Sequence, residues 1–140
     1  MINLNDIPSL AIASKDKGLA QVGDALVNFL YSVARSQVLN KRSGTRVNST
    51  ILAEALKAAD LRHLPRPRAD KHDLADTVEA IIAYAWAKKA LSIEEMIEIL
   101  ANNLDLKGGN AVKTREENSL AIYAFKCLLE EIKSRMSTGD

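Results

Sequence analysis

The sequence predicts an all-α fold, on three observations. Strand-like alternation is nearly absent, while apolar residues recur at helical spacing along most of the 140 positions. Capping side chains stand in front of several of these periodic runs. Glycine and proline, six and three residues, are too scarce for a loop-rich architecture. A chain of this length fits one domain, 1–140, with enough core to fold without disulfides or a structural metal.

The first strong helix is expected from about Asp16 to Ala34, through "LAQVGDALVNFLYSVA". The segment "RSQVLNKRSGTRVNS" then breaks the pattern, and Asn48 or Ser49 caps a short helix to about Ala59. In "LRHLPRPRAD" the two prolines prevent helix, and Asp70 is placed to cap the long run "KHDLADTVEAIIAYAWAKKA". "SIEE", Ser92 to Glu95, has capping-box spacing and opens a helix to about Asn102. After a flexible piece, "DLKGGNAV", a second capping box, "TREE", starts a helix of about 115–136 expected to pack on the rest. Its stripe of Leu120, Tyr123, Ala124, Cys127 and Leu128 makes Cys127 a core residue.

No run approaches the roughly 18 apolar residues that cross a bilayer, so a soluble protein with no membrane partner is expected. The start lacks a basic leader followed by an apolar core. A single cysteine excludes an internal disulfide and suits a reducing, cytoplasmic setting. The net charge of +1 is unevenly spread: Arg35 to Lys71 holds nine lysines and arginines against three acids. That middle third is a candidate polyanion-facing surface, or simply loops and helix ends that collect basic residues.

Acids on apolar helices are the chemical signal. The helix around Asp24 turns apolar residues to most of its circumference and is expected to be buried, and a lone buried carboxylate must be paired, protonated or metal-bound. On the long helix Leu74, Val78, Ile81, Ile82 and Ala85 form one stripe, and Asp76 and Glu79 lie opposite among alanines. Their spacing of three brings them to one face. Gly23 would let another backbone approach beside Asp24, and Asn28, one turn on, can supply an oxygen or hold a water. Oxygen ligands with room for water suit Mg²⁺ or Mn²⁺; the alternative is internal pairing with Lys, Arg or hydroxyl groups.

Three stretches carry a resemblance. "LADTVEAIIAYAW" resembles the ribonuclease III helix with an Ala-Asp, two residues, then Glu-Ala; "VGDALVNFLYSVA" resembles that family's signature helix; "VNSTILAEALKAADL" is similar to the segment between them. They stand in family order over about 19–100. The resemblance implies an all-helical endonuclease that dimerises through its signature helices and cleaves double-stranded RNA to 5′-phosphate and 3′-hydroxyl ends. It implies Mg²⁺ or Mn²⁺ as cofactor, with Asp24, Asp76 and Glu79 as catalytic metal-site acids. Ala20 stands where the family's usual signature begins with Glu, as in the compact Mini-III subgroup, which lacks the RNA-binding appendage. His72 is a possible auxiliary in its place, with Asp73 less well aimed. The departure at Ala20 also admits a non-catalytic RNA-binding or ribosome-associated protein of the same fold, and internally paired acids admit an unrelated helical interaction domain.

RNA contacts are then expected from Lys41, Arg42 and Arg46 in "NKRSGTR", and from Arg62, Arg66, Arg68 and Lys71 before the long helix, with His63 a solvated loop residue. Gly23, Ala20 and Ala34 would permit the close two-fold helix crossing of a homodimer.

Overall fold

A computed structural model of the chain describes residues 2–106 and 114–136. Among them are α1 (Leu10–Ala13), α2 (Lys17–Leu39), α3 (Ser49–Ala58), α4 (Lys71–Ala87), α5 (Ile93–Asn102) and α6 (Thr114–Arg135), with no strand. The side chain of Thr114, the piece from Lys107 to Lys113 and the polar tail from Ser137 lie outside the described residues, so the "TREE" cap is not among the findings.

The expected caps form. Asp16, Asn48 and Asp70 accept the backbone N–H groups of Leu19, Ile51 and Asp73 at 2.8–2.9 Å. Ser92 and Glu95 make both halves of the capping box. Two boundaries differ from expectation. The helix α2 runs five residues past Ala34, because nothing from Arg35 to Leu39 breaks it until Asn40 takes a left-handed φ of 50°. The one-turn α1, capped by Ser9, is too short for a period to show. It is nevertheless anchored, since Leu10 and Ala13 are buried and the Tyr84 hydroxyl donates to the Ile7 carbonyl at 3.1 Å.

The centre of the fold is α4, buried on nearly all sides from Leu74 to Ala87. The apolar stripe and the alanines opposite it are both packed. Against it lie α2 and α3, with α6 across α3 and α5. The face that α6 buries is Ala121, Ala124, Phe125, Leu128, Leu129 and Ile132. It is rotated from the expected stripe because the bulky Phe125 takes the centre, which leaves Tyr123 51% exposed and Cys127 half-buried at the edge. One partly buried network ties α6 to α2: Glu117 accepts from the Tyr31 hydroxyl at 2.6 Å and from Arg35 Nε at 2.8 Å.

A further expectation is overturned on α2. Only one side, Leu19, Ala20, Gly23, Val27, Leu30, Tyr31 and Ala34, is buried. The other side presents Val22 and Phe29 to solvent, at 39% and 52% exposure. Gly23, Ala20 and Ala34 therefore face the chain's own core and are not available to a two-fold crossing. No described helix is long and apolar enough to cross a membrane.

Candidate functional site

Among the described residues, the closest backbone approach built by a glycine lies between α2 and α4. A Cβ on Gly23 would stand 1.9 Å from the Glu79 carbonyl oxygen, so only glycine permits this crossing. The contact fixes the neighbouring side chain as well: Asp24 is set beside the Glu79 carboxyl. Asp76, one turn earlier on α4, completes the group on the wall of a cleft of about 340 Å³. The Arg46–Ser49 segment closes the opposite side.

The charges in this cleft are compensated in three ways. Asp24 is not buried as its helix suggested; its side chain is 51% exposed and lies 3.6 Å from an Arg46 guanidinium nitrogen. Asp76 lies 3.4 Å from Lys17 Nζ. Glu79 is pushed up to about 8 by burial, by a hydrogen bond with Asp24 and by the charges of Asp24 and Asp76, so at neutral pH it holds a proton. Both cations are largely exposed, and such pairs contribute at most about 1 kcal/mol each. Lys17 and Arg46 are thus easily given up to another anion.

The sequence-predicted residues divide between this cleft and other surfaces. His72 is on the rim, its Nδ1 3.2 Å from Ser49 Oγ. Ala20 is a buried part of the wall, which brings no carboxylate there. Asn28 does not offer its oxygen to the cleft: Oδ1 accepts from the Val47 N–H at 2.7 Å, and Nδ2 donates to the Asp24 carbonyl at 2.9 Å. Arg66 pairs with Asp73 beside a second cleft of about 330 Å³, which shares Lys17, Ala20 and Asp76 with the first. Lys41 and Arg42 line a wide, shallow groove at the far end of α2. Arg68 and Lys71 are exposed and line neither cleft. Arg62 braces its own loop by donating to the carbonyls of Arg66 and Pro67. Lys17 was not anticipated, although a helical wheel carries the signal, since it lies two turns before Asp24 on the same face.

A polar cleft framed by carboxylates from two helices and by loosely held cations is suited to a phosphate ester and its counterions. The family model described as Ribonuclease III matches residues 17–138. The chain belongs to the ribonuclease III family. The match begins at the first residue of α2 and includes α6, beyond the 19–100 that the motifs cover. No curated protein matches the chain.

The ribonuclease III family generally uses divalent metal and acts on RNA. Among the described residues, no three His, Cys, Asp or Glu side chains are grouped as a ready-made metal cage. The donor chemistry nonetheless fits a hard cation: the cluster is oxygen-only, and burial, the Asp24 hydrogen bond and the neighbouring acid charges together hold Glu79 protonated. A divalent ion would require Asp24 and Asp76 to turn from Arg46 and Lys17, contacts that cost little to break.

Proposed function

We propose that this chain is a divalent-metal-dependent endoribonuclease that cleaves double-stranded RNA to 5′-phosphate and 3′-hydroxyl ends. The observation that carries the reading is the convergence of Asp24, Asp76 and Glu79 on one cleft. These three would hold Mg²⁺ or Mn²⁺. The ion would supply an acidified water for attack on the phosphodiester and offset charge on the leaving 3′-oxygen. The chain's own cations bind and orient: Arg46 and Lys17 exchange their carboxylates for phosphate oxygens, and His72 stands on the rim for a further polar contact. Lys41, Arg42, Arg66, Arg68 and Lys71 lie farther out and act on duplex charge and shape, which is how A-form RNA is read.

A homodimer is part of the proposal, with the interface on the outer face of α2. Val22, Ala25, Leu26, Phe29 and Val33 recur there at helical spacing, exposed or partly exposed. Two copies crossing on that face would present two clefts to one duplex.

Ala20 favours a second reading, a non-catalytic RNA-binding or ribosome-associated protein of the same fold, because a carboxylate is absent from the wall where the family usually has one. One experiment separates the two. End-labelled duplex RNA is incubated in Mg²⁺, Mn²⁺ or EDTA with the protein and with Glu79→Gln, which mimics the protonated carboxyl and keeps its packing. Cleavage in Mg²⁺ or Mn²⁺ that falls at least about 100-fold in the variant is expected. Duplex binding without cleavage would select the second reading, and neither binding nor cleavage would refute both.

A further inference from the structure

Between α2 and α3 the chain runs back along α2 in an extended segment, and three α2 side chains one turn apart hold its backbone. Ser36 Oγ accepts the Ser43 N–H at 2.9 Å and donates to the Ser43 carbonyl at 3.1 Å. Ser32 Oγ does the same for Thr45, at 2.9 and 3.0 Å. Asn28 takes the Val47 N–H at 2.7 Å. The hydroxyls thus play the part of a neighbouring strand, satisfying N–H and C=O groups that would otherwise lack a partner. The two periods match: four helical residues rise about 6 Å and two extended residues span about 6.7 Å, so each turn of α2 meets every second residue of the segment.

The alternation decides what faces outward. Ser43, Thr45 and Val47 are partly buried, while Arg42, Gly44, Arg46 and Asn48 are exposed. At one end Arg46 reaches Asp24 in the acid cleft; at the other Arg42 lines the shallow groove with Lys41. Arg35 anchors that second end, donating to Ser43 Oγ while paired with Glu117 of α6.

We propose that Asn28, Ser32 and Ser36 are positioning residues that hold the 43–47 segment as a rack, so that Arg42 and Arg46 take phosphates of one RNA strand in fixed register with the acid cleft. The two arginines sit about 13 Å apart along the extended backbone, farther than neighbouring residues of one strand and on the same side of it. Without the ladder the segment, with an exposed Gly44 at its middle, would lose this register. The inference rests on the proposed action on RNA and adds the register to it.

The test reads binding of a fluorescent RNA duplex across a salt series in the Glu79→Gln background, so that cleavage does not intervene. Ser32→Ala/Ser36→Ala, Arg46→Ala, all three together, and Ser32→Thr are compared, with thermal melts to establish folding. Arg46→Ala should weaken binding about tenfold and flatten the salt slope by about one, and the ladder variant should lose at least as much with a slope change of up to about two, since it releases Arg42 as well. Adding Arg46→Ala to the ladder variant should cost little more, since Arg46 is already released there, and Ser32→Thr should bind as the parent does. Parental affinity and slope in a folded ladder variant, or fully additive losses, would overturn the rack. Failure of the parent itself to bind duplex RNA would overturn the proposed function and the rack together, and is distinguished by Arg46→Ala then having nothing to lose.

Discussion

Gly23→Ala is the sharpest perturbation of this architecture. The added Cβ would stand 1.9 Å from the Glu79 carbonyl oxygen, 2.4 Å from its carbon and 2.8 Å from its Cα, all backbone atoms that no rotamer change can move aside. Ordinary contact begins near 3.4 Å, so α2 and α4 would have to separate by about 1.5 Å at the crossing. A gap of that size forfeits more than half of the dispersion energy of the side chains packed at the crossing. Overpacking of this kind costs about 3–5 kcal/mol here, against which alanine returns about 1 kcal/mol of helix propensity. The net loss of about 2–4 kcal/mol should lower the Tm by roughly 5–12 °C in a chain of this size. The same separation draws Asp24 from Glu79, so the Glu79 pKa, read by carboxyl NMR, should fall from about 8 toward ordinary values. A variant that melts with the wild type and keeps its Glu79 titration would refute the account of the crossing.

Two further outcomes follow from other contacts. Hydrogen bonds from Arg35 and Tyr31 hold the Glu117 carboxyl below its usual range, so its contribution is present above the unfolded value of 4.5 and is lost as pH falls through the lower folded value. Glu117→Gln should therefore cost about 2 kcal/mol in denaturant titrations at pH 7, a difference that shrinks steadily below pH 4.5; a pH-independent difference would show that the charge is not what matters. Phe29→Asp should leave the chain folded, because the ring is 52% exposed in the single chain, and shift the proposed dimer to monomer in analytical ultracentrifugation, with a melting temperature that no longer rises with protein concentration. A wild type that is monomeric at tens of micromolar would remove the basis for the two-cleft arrangement.

Much of the fold was legible because helices announce their ends locally. Asn48, Asp70 and Ser92 cap where a single polar side chain before an apolar run says they should. What local rules missed came from the tertiary level. In the continuation of α2 to Leu39, Arg35 meets Glu117 and Ser36 meets the Ser43 backbone, partners that no local rule supplies. The buried face of α6 is set by where Phe125 fits, which no helical wheel specifies. Arg66 and Arg42 share composition with Arg46, but only Arg46 is carried to the acid cleft, since loop geometry sorts charges that sequence only counts.

The structure reverses the expectation that Asp24 is buried, and the reversal leaves its carboxylate open to exchange of partners. Asp24 was expected to need compensation because its helix would be buried; half its carboxylate is in solvent. The i,i+3 spacing on α4 pairs Asp76 with Glu79, and the backbone contact at Gly23 brings Asp24 to them, so that both aspartates act on Glu79. Burial enters only at Glu79, and there it stores protonation in place of charge. Had all three been sealed inside with matched cations, the pairs would be costly to open and no phosphate could compete for them. With Lys17 and Arg46 exposed, giving up either carboxylate for another anion is a small step in free energy, which is what the proposed binding and release of RNA would require.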